Sequence, residues 1–248
     1  MSFMADWTGR KAYKLHIEGN QLSDKQEYER AQEKHLAAAE LYQKAVDGGM
    51  NKAVILMAYG VLLLRFGRYS EAREIMLRVE KMPNLKKDEK KQLRLNYAIC
   101  LWKMGELDRA IEQMKYASGD GKNSMIYGSL GYMLIEKARQ TGDFTEAEAF
   151  NLEALDYDDE DAVVLDNLGQ MYLSMGDREK AFDFFKRAHE EKPSQVDTLY
   201  YLSRLYAEDG EIETAKKMLT RALSGNYSAL CTTTREQAEE ALKALENR

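Results

Sequence analysis

Proline and cysteine each occur only twice in 248 residues, and no apolar run approaches the length of a membrane span, about 20 residues. Each shortage excludes something. Proline interrupts helix interiors, so its scarcity favours a mostly helical chain. Cys100 and Cys231 lie far apart in sequence and resemble neither a disulfide framework nor a metal-binding pair, which fits a reducing, cytoplasmic compartment. The stretch Met1 to Trp7 carries no signal-peptide pattern, and direct membrane insertion is not expected. Lys plus Arg is 36 against 42 Asp plus Glu, a net charge of −6 with no dense basic stripe. Nucleic acid and anionic membrane surfaces are therefore not expected partners.

What the chain has instead is a repeat. Glycines that follow apolar runs fall at Gly67, Gly105, Gly142, Gly176 and Gly210, with spacings of 38, 37, 34 and 34. Ala72, Ala110, Ala147, Ala181 and Ala215 keep the same spacings, and so do Val79, Ala117, Ala154, Ala188 and Ala222. Three landmarks sharing one set of irregularities define a structural period. Small residues also recur at Gly60, Ala98, Gly131, Gly169 and Ser203. Antiparallel helices approach closely only where side chains are short, and the larger Met76, Met114, Phe185 and Leu219 then fill the space between units.

The clearest unit is 162–195. Leu165, Leu168, Gly169 and Tyr172 share one helical face at steps of three and four. Gly176 ends that helix and Asp177 can cap the next. Ala181, Phe185 and Ala188 line the second helix, and Pro193 stops it. Leu-Gly-x-x-Tyr, then Ala-x-x-x-Phe, then a terminal Pro resembles the tetratricopeptide repeat, departing from it where Leu165 replaces tryptophan. The next unit keeps Leu199, Leu202, Tyr206, Ala215 and Ala222 but carries Ser203 and Tyr227 at the small and proline positions. The resemblance covers about residues 30–229. It implies an all-α, right-handed superhelical solenoid of about six antiparallel helix pairs plus a C-terminal capping helix.

The expected organisation is one continuous solenoid. Residues 1–52 form an irregular N-terminal repeat, five repeats follow at 53–90, 91–123, 124–161, 162–195 and 196–229, and 230–248 is the cap. Ser23 and Gln26 read as a capping box opening a long helix from about Asp24 to Val46, roughly 34 Å. Gly131 to Gly142 is eleven residues where the other units have seven, so that first helix should gain a turn. The excess between Val79 and Ala98 holds Pro83, Asn84 and Leu85 and reads as an inter-repeat loop. Thr233 and Glu236 read as the capping box of the last helix.

Catalytic chemistry is not apparent. His16, His35 and His189 lie in different units with no metal-ligand spacing, and read as structural or surface residues. No Gly-x-Ser-x-Gly elbow occurs, and Cys100, beside Ala98, reads as a packing residue. Gly119, Gly121, Lys122 and Ser124 fail as a phosphate loop because Asn123 breaks the run and no strand precedes it. Asp156, Asp158, Asp159, Glu160 and Asp161 lack the glycine and distal glutamate of an EF-hand and suit the start of the following helix. The Lys86–Lys91 run reads as a solvated loop. No catalytic residue, metal or cofactor is expected.

In tetratricopeptide arrays the first helices line a concave groove that holds a protein or peptide. Carried onto this chain, that implies Met57, Val61, Leu95, Asn96, Ile99, Trp102, Tyr132, Asp166, Asn167, Gln170, Tyr200, Tyr201 and Arg204 as partner-binding positions. The carboxylate clamp of chaperone-binding members is not expected. Asn167 matches one of its asparagines, but the positions that should be Lys and Arg are Asp197 and Tyr201, and the same test around Asn96 meets Met125 and Ser129. The resulting expectation is a non-catalytic interaction scaffold. The alternative is a peptide-sensing regulator that changes shape on binding; no DNA-binding helix-turn-helix is evident in residues 1–30.

Overall fold

The computed structural model describes residues 3–119 and 121–247, and among them it contains thirteen α-helices and no strand. They run α1 Phe3–Asp24, α2 Tyr28–Asp47, α3 Ala53–Arg65, α4 Tyr69–Glu80, α5 Lys87–Lys103, α6 Leu107–Ser118, α7 Ser124–Thr141, α8 Thr145–Tyr157, α9 Ala162–Ser174, α10 Arg178–Glu191, α11 Val196–Glu208, α12 Ile212–Leu223 and α13 Arg235–Glu246. The all-α fold and the repeated helix pairs read from the spacing are present: six pairs and a last single helix. The chain divides into two compact units, with the boundary between Ala117 and Ser118. In the first, α3 packs on α1, α2, α4 and α5. In the second, α9 packs on α7, α8, α10 and α11, and α13 packs on α12.

Each pair turns at a residue in the left-handed region. At Gly176 (φ 84°) the N–H of Asp177 returns to the Tyr172 carbonyl at 2.9 Å and the N–H of Gly176 to Leu173 at 3.2 Å. The two bonds satisfy carbonyls that a helix end leaves open, and a Cβ would strain that φ. Gly67, Gly105 and Gly210 repeat the pattern, while Gly142 closes α7 with a single bond to the Ala138 carbonyl. The small positions sit beneath the second helix. A Cβ at Gly169 would lie 2.7 Å from the ring of Phe185, and one at Gly131 would lie 2.5 Å from the side chain of Asn151.

The first repeat corrects the sequence reading. Ser23 and Gln26 do not open a helix; they close one. Gln26 takes φ 62°, its N–H bonds the Ser23 carbonyl, and the N–H of Glu27 bonds Leu22, both at 2.9 Å. This is the same closure made elsewhere by glycine, so α2 starts at Tyr28 and has 20 residues, about 30 Å. The register then becomes complete. Gly19 lies seven residues before Gln26 and faces His35, just as Gly169 lies seven before Gly176 and faces Phe185. Both helices of this pair extend further from the turn, to a point where a Cβ on Gly9 would lie 2.4 Å from Met50 in the connection after α2 and 3.6 Å from Ala45 on α2.

Two more boundaries differ from expectation. α5 begins at Lys87, with Glu89 accepting from the Lys86 N–H at 2.9 Å. Most of the Lys86–Lys91 run is therefore an exposed helical turn, because the capping carboxylate and good helix formers outweigh the charge density. Only residues 81–86 form the loop. At the C-terminal end the capping box is Thr234 with Gln237, one residue later than read, since Thr234 rather than Thr233 has its hydroxyl on the N3 amide. In the second unit α7 carries its extra turn, with 18 residues against 13 in α9 and α11.

Candidate partner-binding face

The expected face falls on α3 and α5 in the first unit and on α7, α9 and α11 in the second. Nine of its thirteen residues are buried: Met57, Leu95, Asn96, Ile99, Trp102, Tyr132, Asp166, Asn167 and Gln170. Val61 is 38% exposed, Tyr200 and Tyr201 are half-buried, and Arg204 is exposed. Register fixes which face a residue occupies; burial depends on what packs above it. Asn96 accepts from Gln92 at 3.0 Å. Asn167, expected to offer its amide to a partner backbone, instead donates to the Gly128 carbonyl of α7 at 2.8 Å.

In the second unit the face carries a buried polar network. Asp166 on α9 accepts from Thr198 on α11 and from Gln170, both at 2.7 Å. Gln195 donates to the Ala162 carbonyl at 3.0 Å and to Thr198 at 3.2 Å. The chain itself supplies the rest. The connection from α12 to α13 spans eleven residues, 224–234, where α10 to α11 takes four. It folds back so that Gln170 donates to the Thr232 hydroxyl at 3.0 Å. Asp197 Oδ1 accepts the main-chain N–H of Thr232 at 3.0 Å and of Thr233 at 2.6 Å.

Two carboxylates thus share a dry site. Burial, and then the charge of Asp197, push Asp166 up to about 7. Burial also raises Asp197, against the pull of the Thr233 and Thr232 N–H groups. Water is the group a carboxylate loses here, and neutralising it is the compensation. Arg139 on α7 is the nearby cation. It reaches the Ser174 hydroxyl at 2.8 Å and lies 3.4 Å from the Tyr132 hydroxyl and the Gln170 carbonyls. Tyr201 stacks on Phe185, with centroids 5.3 Å apart and planes 4° from parallel, and Tyr200 meets Tyr201 edge-on at 5.4 Å.

Sequence reasoning missed Arg139, Thr198 and Thr232, met Asp197 only as a clamp position and read Thr233 as a helix cap. One signal was available. A further repeat in register would start its first helix near residue 230, 34 after Val196. Thr232, Thr233 and Thr234 stand there instead, and a β-branched run with cap-forming hydroxyls disfavours helix interior. The segment stays irregular and α13 starts late, at Arg235.

Other titratable clusters are occupied in packing. His16 and His35 meet edge to face, with centroids 5.6 Å apart. Burial, then the charge of Arg65, lowers both to about 4, so they are neutral at physiological pH. Burial pushes the Cys100 thiol up to about 11, and it donates to the Tyr69 carbonyl at 3.3 Å. Lys122 reaches Glu153 at 2.5 Å. Asp161 caps α9 through the N–H of Val163 at 2.8 Å. Among the described residues no group of three or more His, Cys, Asp or Glu could hold a metal ion, and no helix is long and apolar enough to cross a membrane.

Comparison with known proteins agrees with this architecture. Tetratricopeptide-repeat profiles match residues 27–84 and 172–227. No curated protein matches the chain. Among solved structures, a thermophilic tetratricopeptide-repeat protein of Thermus thermophilus is 20% identical with a TM-score of 0.61, covering 79% of this chain and 100% of that one. The C-terminal part of a repeat protein from Cytophaga hutchinsonii is 21% identical with a TM-score of 0.56, covering 87% and 78%. A tetratricopeptide repeat protein from Parabacteroides merdae is 15% identical with a TM-score of 0.52, covering 96% and 100%. At these identities the likeness is one of fold, and it coincides with the register of small residues and left-handed turns. The stretches 27–84 and 172–227 are tetratricopeptide repeats, and the all-α fold around them is the one these solved repeat proteins share.

Proposed function

We propose that this protein is a non-catalytic scaffold that holds a protein or peptide segment against its first-helix face, with Tyr200, Tyr201 and Arg204 as the leading contacts. One observation carries the reading. On α11 the half-buried Tyr200 and Tyr201 stand beside an exposed arginine that has no ion-pair partner among the described residues. Tyr201 is already ordered by its stack on Phe185 and in turn orders Tyr200. Pre-ordered aromatic area costs little side-chain entropy on binding, and an unpaired guanidinium favours a partner carboxylate. An acidic or carboxylate-bearing segment with an apolar side chain fits that surface.

The test uses a partner captured by chemical cross-linking and then purified. Calorimetry should show Tyr200→Ala and Arg204→Ala each weakening binding by about 1–3 kcal/mol. Lys186→Ala, on exposed α10 ground, should change almost nothing. Equal affinities for all three would place the working surface elsewhere. The alternative, a peptide-sensing regulator, is supported by the connection 224–234. It rests on the same face, so a ligand reaching Gln170 or Asp197 must move it.

A further inference from the structure

The end of the α12–α13 connection lies on the second unit as a bound peptide would. Asp197 collects two consecutive main-chain N–H groups, from Thr232 and Thr233, and Gln170 reads the hydroxyl between them. Both readers are buried, and Gln170 is held by Asp166 Oδ2 at 2.7 Å, with Asp166 held in turn by Thr198. Recognition goes to backbone and to one hydroxyl, so the geometry would accept any segment that bends in the same way with serine or threonine at that point.

Topology does not require this excursion. Four residues join α10 to α11, and the seven additional residues of 224–234 serve to reach the face. Nor does apolar burial fix the segment firmly. Leu230 is 46% exposed and Cys231 only partly buried. Tyr227 is the one large anchor, against Val196, Leu199 and Ala222, and its hydroxyl is buried without a hydrogen-bond partner. The segment also closes over two carboxylates that would be better hydrated if it left.

We propose that residues 231–233 are a displaceable internal occupant of a peptide site on α9 and α11, and that the site takes a hydroxyl-bearing peptide segment, bent at that point, read through its hydroxyl and two consecutive main-chain N–H groups. The inference rests on the reading of the first-helix face as the working surface. It adds the ligand chemistry and a built-in competitor.

The probe is a peptide of residues 226–234, acetylated and amidated at its ends and labelled for fluorescence anisotropy. In the full chain, Thr233→Pro removes one of the N–H groups given to Asp197 and should release the segment. The probe should then bind this variant at least tenfold tighter than the parent, and adding Asp197→Leu should abolish the gain. Equal binding to parent and variant, or a gain that survives Asp197→Leu, overturns the proposal. If Thr233→Pro does not fold, hydrogen exchange on the parent decides. Amides of 226–233 should exchange at least tenfold faster than those of α11 and α12, and equal protection would mark the segment as fixed structure. Should the probe fail while Tyr200→Ala and Arg204→Ala still weaken the captured partner, the scaffold reading stands and the internal occupant falls.

Discussion

The side-chain amide of Asn167 donates to the carbonyl of Gly128 at 2.8 Å, tying α9 to α7 inside the second unit. A helical carbonyl has a second lone pair to accept such a bond. Asn151 makes the matching tie from α8, to Gly131 at 3.2 Å. Both helices come close enough because positions 128 and 131 have no side chain: a Cβ at Gly131 would lie 3.2 Å from the Asn167 amide. Asn167→Leu should therefore lower the urea midpoint, by about 1–3 kcal/mol in stability, since a buried hydrogen bond is lost and leucine is forced into a fitted space. A variant that unfolds like the parent but loses partner affinity would make Asn167 a contact instead.

The repeats were legible because backbone geometry constrains a few positions to one or two residue types. Gly176 and Gly210 must turn left-handed, and Gly169 must pass under Phe185. The first repeat was illegible for the same reason: its turn residue is Gln26, which breaks the glycine series while adopting the glycine conformation at φ 62°. A non-glycine residue there costs about 1–2 kcal/mol, partly offset by glycine's larger unfolded-state entropy. Gln26→Gly should raise stability by about 0.5–1 kcal/mol, seen as a higher thermal midpoint. An unchanged or lower midpoint would mean that the Gln26 side chain compensates its backbone.

The candidate face was legible as a face but not as a surface. Asp166 and Gln170 were placed by register, yet their burial comes partly from Thr232, 62 residues beyond Gln170. No local pattern reports a contact at that separation. Asp197 was weighed only as a failed clamp position. As an acceptor for the chain's own backbone it has the opposite role from the lysine sought there, and it became visible only when the segment over it did.

The carboxylate pair makes the second unit pH-sensitive in a defined direction. Asp166 rises from an ordinary carboxylate value of 3.8 to about 7 in the folded chain. Between those values the folded state keeps a proton that the unfolded state has released, so stability falls as pH rises through that window and levels above it. The groups facing the pair are Arg139 and Tyr132 from α7, Gln170 from α9, Thr198 and Tyr201 from α11, and Tyr227, Thr232 and Thr233 from the connection. Asp197→Asn keeps an acceptor for both N–H groups and removes the neighbouring negative charge. It should bring the Asp166 value down and flatten the loss of stability between pH 4 and 7, as followed by denaturant unfolding at several pH values. An unaltered slope would assign the pH dependence to other groups.

α13 closes the last pair by covering an apolar surface that α12 would otherwise leave open. Ala238 and Leu245 are buried in one cluster with Ala215 and Leu219, and Tyr206, Ile212, Ala241 and Leu242 pack around it. Its other side is charged, with Glu239, Glu240, Lys243 and Glu246, and we propose that it caps the stacked pairs. Removing residues 235–248 leaves the connection 224–234 in the chain and uncovers that cluster. The truncated protein should melt lower and associate with rising concentration, measured by light scattering on a sizing column. Ala238→Glu tests the same contact without shortening the chain, because it drives a carboxylate into a fully buried position. Thr232→Val, which removes the hydroxyl bonded to Gln170 and leaves α13 in place, should show no added association. If the truncation and Ala238→Glu both behave like the parent, α13 is an appendage and the array ends at α12.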